Sequence, residues 1–316
     1  MFSALRVLRT PGPLRMIIGG VAALTSLTLA ACGGSSGGGA NPLASGGGKG
    51  SVVVGSANFP EDELLAQIYI QALQAKGVKV TPKLNIGARE AYYPQIQKGA
   101  ITIIPEYNGA LLTTSVDTHS TAATTSEVDA ALKAKLPSSL EILTPSPAQD
   151  KDSVTVTRQA AQKYHLSSIS DLKAHAPGMT IGAPPEFKTR QAGLLGLQQR
   201  YGLHFKSFSP LDESGPVTLK ALTSGTVQAA DVFTTTPQII TDHLVSLSDP
   251  KFVFAAQNVV PLVYKKGVNP TITSTLNAVS AKLTTASLLA MDKQIIVDHA
   301  NYSTVASNWL KQAGLG

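Results

Sequence analysis

Two aromatic side chains, Tyr107 and Phe233, stand at matching places in the two halves of this 316-residue chain, each eight residues after a glycine, Gly99 or Gly225. Each follows a short apolar run that reads as a strand. Ligands of open α/β sheets bind beyond the carboxyl ends of strands. These residues are therefore suited to contact a bound molecule, although a place in the core is the alternative for an isolated aromatic. Catalytic chemistry has little support. The six histidines, His119, His165, His175, His204, His243 and His299, are scattered and lack metal-ligand spacing such as His-Glu-x-x-His. No strand runs into a Gly-x-Ser-x-Gly elbow, and no phosphate loop ending in Gly-Lys-Ser/Thr occurs. The single cysteine, Cys32, excludes an internal disulfide, so its position carries its meaning. The sequence thus points to a binding protein without cofactor or metal.

The elements that must position these residues follow β-α-β grammar, which implies a parallel sheet covered by helices. Val52-Val53-Val54 reads as a buried strand ended by Gly55. A helix from Glu61 to Lys76 follows, with Leu64, Ile68, Ala72 and Ala75 near one face, and then Gly77 and a strand from Val78 to Leu84. The pattern recurs as a strand over 179–182, a helix from about Thr189 to Tyr201, Gly202, and a strand from Leu203 to Phe208. Gly55 to Gly77 spans 22 positions and Gly182 to Gly202 spans 20. Helices over 90–97 and 216–223 precede the two segments that lead to Tyr107 and Phe233. Two matched pairs in the same order predict two similar α/β lobes. They place the aromatics across an interlobe cleft, where small-molecule sites commonly lie. Thr144–Asp152, with Pro145 and Pro147, reads as the crossing between lobes, and 255–261 as the return. The expected organisation is lobe I from 51–149 and 259–316, and lobe II from 150–258. Helices over 272–283, 288–298 and 305–312 would complete lobe I.

Residues 1–32 have the three parts of a secretory signal. Arg6, Arg9 and Arg15 form the positive region, residues 16–31 carry no charge, and Leu29-Ala30-Ala31 precedes Cys32. That tripeptide and cysteine resemble a bacterial lipobox, which implies acylation of Cys32 and cleavage before it. Two or more acyl chains anchor stably where one does not. Sixteen uncharged residues with several Gly and Thr are short for a membrane span. Residues 33–50, almost wholly Gly, Ser, Ala and Asn, read as a flexible tether. Removing residues 1–32 lowers the net charge from +6 to +3, and no long Lys/Arg run exists, so nucleic acid is a poor partner. A hydrophobic content of 43% against 15% charged residues supports folded cores.

Several stretches, taken in order, resemble the substrate-binding lipoproteins of osmoprotectant ABC importers, the glycine betaine/choline/carnitine type. In the first half these are Gly55-Ser56-Ala57-Asn58-Phe59-Pro60-Glu61, Asn85-Ile86-Gly87-Ala88-Arg89-Glu90 and Pro105-Glu106-Tyr107-Asn108-Gly109. In the second they are Pro184-Pro185-Glu186-Phe187 with Arg190, Tyr201-Gly202-Leu203, 221–225, Asp231-Val232-Phe233-Thr234-Thr235 and Asn258-Val259-Val260-Pro261. The resemblance covers about residues 51–312. It implies a two-lobed periplasmic-binding-protein fold, type II-like, with two crossover strands and a ligand cleft between lobes. It also implies separate permease and ATPase partners and an extracytoplasmic site of action.

In that family a quaternary ammonium, which has no N–H to donate, is held by an aromatic cage through cation–π attraction. A ligand carboxylate is held by Arg, Lys, Thr or backbone N–H groups. The resemblance places Tyr107 and Phe233 on cage positions and Arg190 on a carboxylate-binding arginine. Four positions depart from the pattern. Ala57 replaces a lysine common in relatives, Ser153 and Gln257 stand near positions where cage aromatics are common, and Ala110 replaces a hydroxyl residue. Losing two of four cage aromatics weakens betaine binding unless Tyr92 or Tyr93 substitutes, and at least one of these two, which precede Pro94, is expected to pack under the helix start. Asn58, Arg89, Asn108, Asp150, Lys151 and Thr234 complete the expected ligand-binding set. Arg89 either reaches the cleft or pairs with Glu90 or Glu106. Arg190 is expected on a helix, Asp150 and Lys151 in the crossover loop. Three functions stay open: delivery of a compatible solute such as glycine betaine, choline, carnitine or proline betaine; the same scaffold with a neutral, hydroxylated or aromatic ligand; or a surface sensor or adhesion lipoprotein.

Overall fold

The computed structural model describes residues 51–316; Cys32, the export signal and the tether lie outside the described residues. Ten strands form two five-stranded sheets. The first sheet holds β1 (Val52–Gly55), β2 (Val80–Lys83), β3 (Ile103–Tyr107) and β4 (Leu140–Ile142). The second holds β5 (Val154–Thr157), β6 (Thr180–Ala183), β7 (Ser207–Pro210), β8 (Ala229–Asp231) and β9 (Leu244–Ser246). The last strand, β10 (Val259–Tyr264), returns to the first sheet.

The strand orders are β2-β1-β3-β10-β4 and β7-β6-β8-β5-β9, the same arrangement twice. In each sheet three strands run parallel and the next is antiparallel, β10 against β3 and β5 against β8. The antiparallel member is in both cases the strand that arrives from the other lobe. The crossings themselves touch through an antiparallel bridge between Gln149 and Asn258.

Local sequence explains the repeated unit. Gly77, Gly99, Gly202 and Gly225 all have positive φ, between 66° and 75°, at the ends of four helices. A side chain is strained in that left-handed conformation, so glycine ends each helix there. Pro60 starts the helix Pro60–Ala75 at its first position, with Glu61, Asp62 and Glu63 in the first turn. Acids there suit the positive end of the helix dipole. Both faces of each sheet are covered. In β3, Ile103 packs into one core cluster and Ile104 into the other, as strand alternation requires. The first of these cores includes Ile272, Leu288, Val305 and Trp309 from helices Pro270–Lys282, Thr285–Asp292 and Tyr302–Gln312.

One expected element is shorter than the sequence pattern suggests. The helix following β6 starts only at Leu194. Pro185–Lys188 forms a 3-10 turn, and Gly193 packs so closely that a Cβ there would meet the carbonyl oxygen of Phe187 at 2.4 Å. The chain folds back on itself before the helix begins, so Arg190 sits on this turn and not on a helix. Among the described residues no helix is long and apolar enough to cross a membrane.

Candidate functional site

The strand ends of both sheets meet at a cleft with about 540 Å³ of empty space, open at its mouth. Four aromatic side chains line it: Phe59, Tyr92, Tyr107 and Phe233. Phe59 is the link between them. Its ring centroid lies 6.0 Å from that of Tyr107 and 5.3 Å, edge-on, from that of Phe233. It occupies the turn between β1 and the helix Pro60–Ala75, while Tyr107 and Phe233 close β3 and follow β8.

Charge is distributed around this aromatic set. Arg89 lines the cleft while its guanidinium grips Glu106 through three contacts of 2.9–3.3 Å. Burial opposes the charge on Arg89, but Glu106 more than offsets it and keeps the guanidinium protonated. Tyr92 donates its hydroxyl to Glu106 Oε1 at 2.7 Å, the oxygen that also accepts from Arg89 Nε, so this carboxylate fixes two cleft residues at once. Arg190 crosses to the first lobe and forks onto Glu90 at 2.8 and 3.1 Å. Although burial works the other way, this fork holds the Glu90 carboxyl below its ordinary value. Gln257 donates to Asp152 at 2.7 Å, and both line the cleft.

Beneath the aromatics the lobes are clamped by carboxylates. Glu61, in the first turn of the helix Pro60–Ala75, accepts from Tyr107 Oη at 2.5 Å and from Thr235 Oγ1, in the second lobe, at 2.6 Å. Asp150 accepts from the Thr235 backbone N–H at 3.0 Å and from Thr234 Oγ1 at 3.2 Å. Burial, then the charge of Glu61, pushes the Asp150 carboxyl well up.

The structure brings Arg89, Tyr107, Asp150, Arg190, Phe233 and Gln257 together at the cleft. It places the other expected residues elsewhere. Asn58 is exposed, and so is Thr234, whose hydroxyl is spent on Asp150. Lys151 meets Thr234 through its backbone, N–H to Oγ1 at 2.9 Å. Ser153 is buried in the second sheet, where its hydroxyl donates to the Val232 carbonyl at 2.6 Å. Asn108 is wholly buried and ties the return crossing to β3, accepting from the Asn258 N–H at 2.7 Å while its amide donates to Asp129. Beside it, Gly109 leaves room for the Ala256 carbonyl, which a Cβ would meet at 2.2 Å.

Sequence reasoning missed Phe59, Asp152 and Glu213, which also lines the cleft. Phe59 and Glu213 follow the carboxyl ends of β1 and β7, the places where open sheets bind ligands, and that rule would have found them. Of the two adjacent tyrosines, Tyr92 lines the cleft, whereas the Tyr93 hydroxyl is buried without a partner.

Burial pushes the Glu213 carboxyl up to about 7. A raised carboxyl binds its proton more tightly folded than unfolded, so its contribution to stability is complete below the ordinary carboxylate range and falls as pH rises towards 7. A cation in the cleft acts the opposite way, since it favours the ionised form. Glu213→Gln should therefore flatten stability between roughly pH 4.5 and 7 relative to the parent protein. It should also remove part of any rise in cation affinity over that window. Urea midpoints and affinities measured across the pH series check both slopes; parallel curves for the two proteins would contradict this assignment.

Residues 50–312 match the family model for the substrate binding domain of ABC-type glycine betaine transport systems. The chain is 30% identical over 277 residues to the glycine betaine-binding protein YehZ of Escherichia coli (strain K12), covering 83% of this chain and 90% of that protein. It is 28% identical over 165 residues to the ergothioneine transport permease/ergothioneine binding protein EgtU of Helicobacter pylori (strain G27), a match spanning 52% of this chain and 30% of that one. Among solved structures, a glycine betaine/carnitine/choline ABC transporter protein superposes with a TM-score of 0.65 at 19% identity, over 84% of this chain and 99% of that one.

Proposed function

The chain belongs to the family of substrate-binding domains of ABC-type glycine betaine transport systems, and from that premise we propose that its cleft holds a small quaternary ammonium solute such as glycine betaine. The observation that carries this reading is the set of four aromatic side chains around one cleft. A methylated ammonium cannot donate a hydrogen bond, but it is attracted to the π faces of such a cage. Glu213 and Asp152 add negative charge beside the cage, and Arg190 supplies the group for a carboxylate at the other end of the ligand. The two aromatics missing at Ser153 and Gln257 are made up by Phe59 and Tyr92.

In this reading the protein binds and releases its substrate unchanged. Lobe I (51–149 and 259–316) and lobe II (150–258) swing about the two crossings. The Thr235–Glu61 contact holds the closed form, which a separate permease recognises. Cys32, acylated, tethers the protein outside the membrane. Cys32→Ala should release the protein from cell membranes on fractionation while leaving solute affinity unchanged. Continued membrane retention would contradict lipidation at this site.

A second reading keeps the scaffold and gives it a neutral, hydroxylated or flat aromatic ligand. It draws support from Gln257 and Thr114 in the cleft wall and from the relative named for ergothioneine binding. A thermal-shift panel separates the two. Glycine betaine, choline, carnitine or proline betaine at about 100 times its Kd should stabilise residues 51–316 by about 2.7 kcal/mol. A panel in which only neutral or aromatic compounds shift the melt would favour the second reading.

A further inference from the structure

Phe59, Phe233 and Glu213 have a second face. Behind them lies another cavity, with about 700 Å³ of empty space, which shares only these three residues with the cleft. Its apolar walls come from both lobes, Leu219 on the helix Pro216–Thr223 and Ile295 and Ile296 on the π-helical turn Lys293–Val297. Its polar lining joins three acids to the hydroxyls of Ser214, Thr235 and Thr236. Glu61, Glu213 and Asp292 line it together with His299, and no lysine or arginine does.

Asp292 is the informative residue. It is 1% exposed, lines this cavity, and neither of its carboxylate oxygens receives a hydrogen bond. Leaving a buried acceptor unfilled costs stability, so such groups in folded proteins call for an explanation. Among the described residues no three or more His, Cys, Asp or Glu side chains converge to hold a metal ion, so a built metal centre does not supply it. A quaternary ammonium does not either, because it has no N–H to give. The missing partner is a cation that carries N–H donors, with an apolar body to cover Leu219, Ile295 and Ile296.

We propose that this rear chamber is a second small-molecule site, for a protonated organic amine whose N–H groups bond Asp292 and Glu61 while its hydrocarbon part lies on Leu219, Ile295 and Ile296. Burial, then the charge of the neighbouring Glu61, pushes the Asp292 carboxyl up, and an ammonium beside the pair acts in the opposite direction. The side chains proposed to hold the amine, Asp292, Glu61, Leu219, Ile295 and Ile296, are not among those lining the solute cleft, so the site stands whether or not that cleft takes glycine betaine.

Phenethylammonium is a suitable probe, titrated by calorimetry onto residues 51–316. Saturable one-to-one binding is expected, at least tenfold weaker in Asp292→Asn and abolished in Leu219→Trp, which fills the chamber. Gln257→Ala, in the front cleft only, should leave the affinity within twofold. The N-trimethylated form of the probe should bind at least tenfold more weakly than the amine. Melting curves of the variants establish that they are folded, and the isosteric Asp292→Asn keeps the test decisive if the tryptophan variant does not fold. Absence of binding to the parent protein would overturn the proposal. So would affinity unchanged in Asp292→Asn, or lost in Gln257→Ala.

Discussion

Arg190→Ala should weaken glycine betaine binding by about a hundredfold and choline binding by less than threefold. The difference lies in the ligands: glycine betaine carries a carboxylate and choline does not. A charge-assisted hydrogen bond contributes about 1.5–3 kcal/mol, and a guanidinium can offer a carboxylate two in parallel. Arg190 forks onto Glu90, whose side chain is 51% exposed. Losing so open an ion pair costs little, about 0–1 kcal/mol. The large loss therefore appears only when a ligand carboxylate competes for Arg190. Paired titrations of the two solutes check this. Equal losses for both would mean that Arg190 acts through lobe closure alone, in which case Glu90→Ala should reproduce the effect.

The largest effect on stability is expected from Glu106→Ala. Glu106 is fully buried and serves Arg89, the Tyr92 hydroxyl and the Tyr107 N–H. Removing its carboxylate strands a guanidinium that is only 9% exposed. Breaking a buried pair from one side costs about 3–5 kcal/mol, because the surviving charge has no partner. Replacing both members by apolar groups of similar size costs far less. The Arg89→Met/Glu106→Leu double variant should thus unfold at a higher urea concentration than Glu106→Ala. A double variant no more stable than the single would show that the charge is not what matters there.

Much of this fold is legible in local sequence because its punctuation is local. The glycines that end four helices take a left-handed conformation that glycine adopts without strain, and their spacing exposes the repeated lobe before any contact is known. The offsets of Tyr107 and Phe233 follow from the same punctuation, since a helix end, a short strand and a strand terminus have nearly fixed lengths. The site is less legible because its partners are chosen at long range. Arg89 meets Glu106 across 17 positions, Arg190 meets Glu90 across 100, and Thr235 meets Glu61 across 174. Asn108 illustrates the difficulty. Its motif marks the strand end that carries Tyr107, yet its side chain is spent on the crossing at Asn258 and on Asp129. Phe59 is the converse case, an aromatic in a quoted motif whose place in the cage depends on two rings far along the chain.

The family assignment makes this chain a substrate-binding component of an ABC importer. Its four aromatics and its arginine turn that assignment into a statement about chemistry. Its central claim is that the cage at Phe59, Tyr92, Tyr107 and Phe233 recognises a methylated ammonium. The most direct test is calorimetric titration of glycine betaine into residues 51–316, parent and Tyr107→Leu side by side. One-to-one binding is expected, weakened by roughly 0.5–2 kcal/mol when the ring is replaced by an aliphatic side chain. No heat in the parent protein at high concentration, or undiminished affinity without the ring, would contradict it.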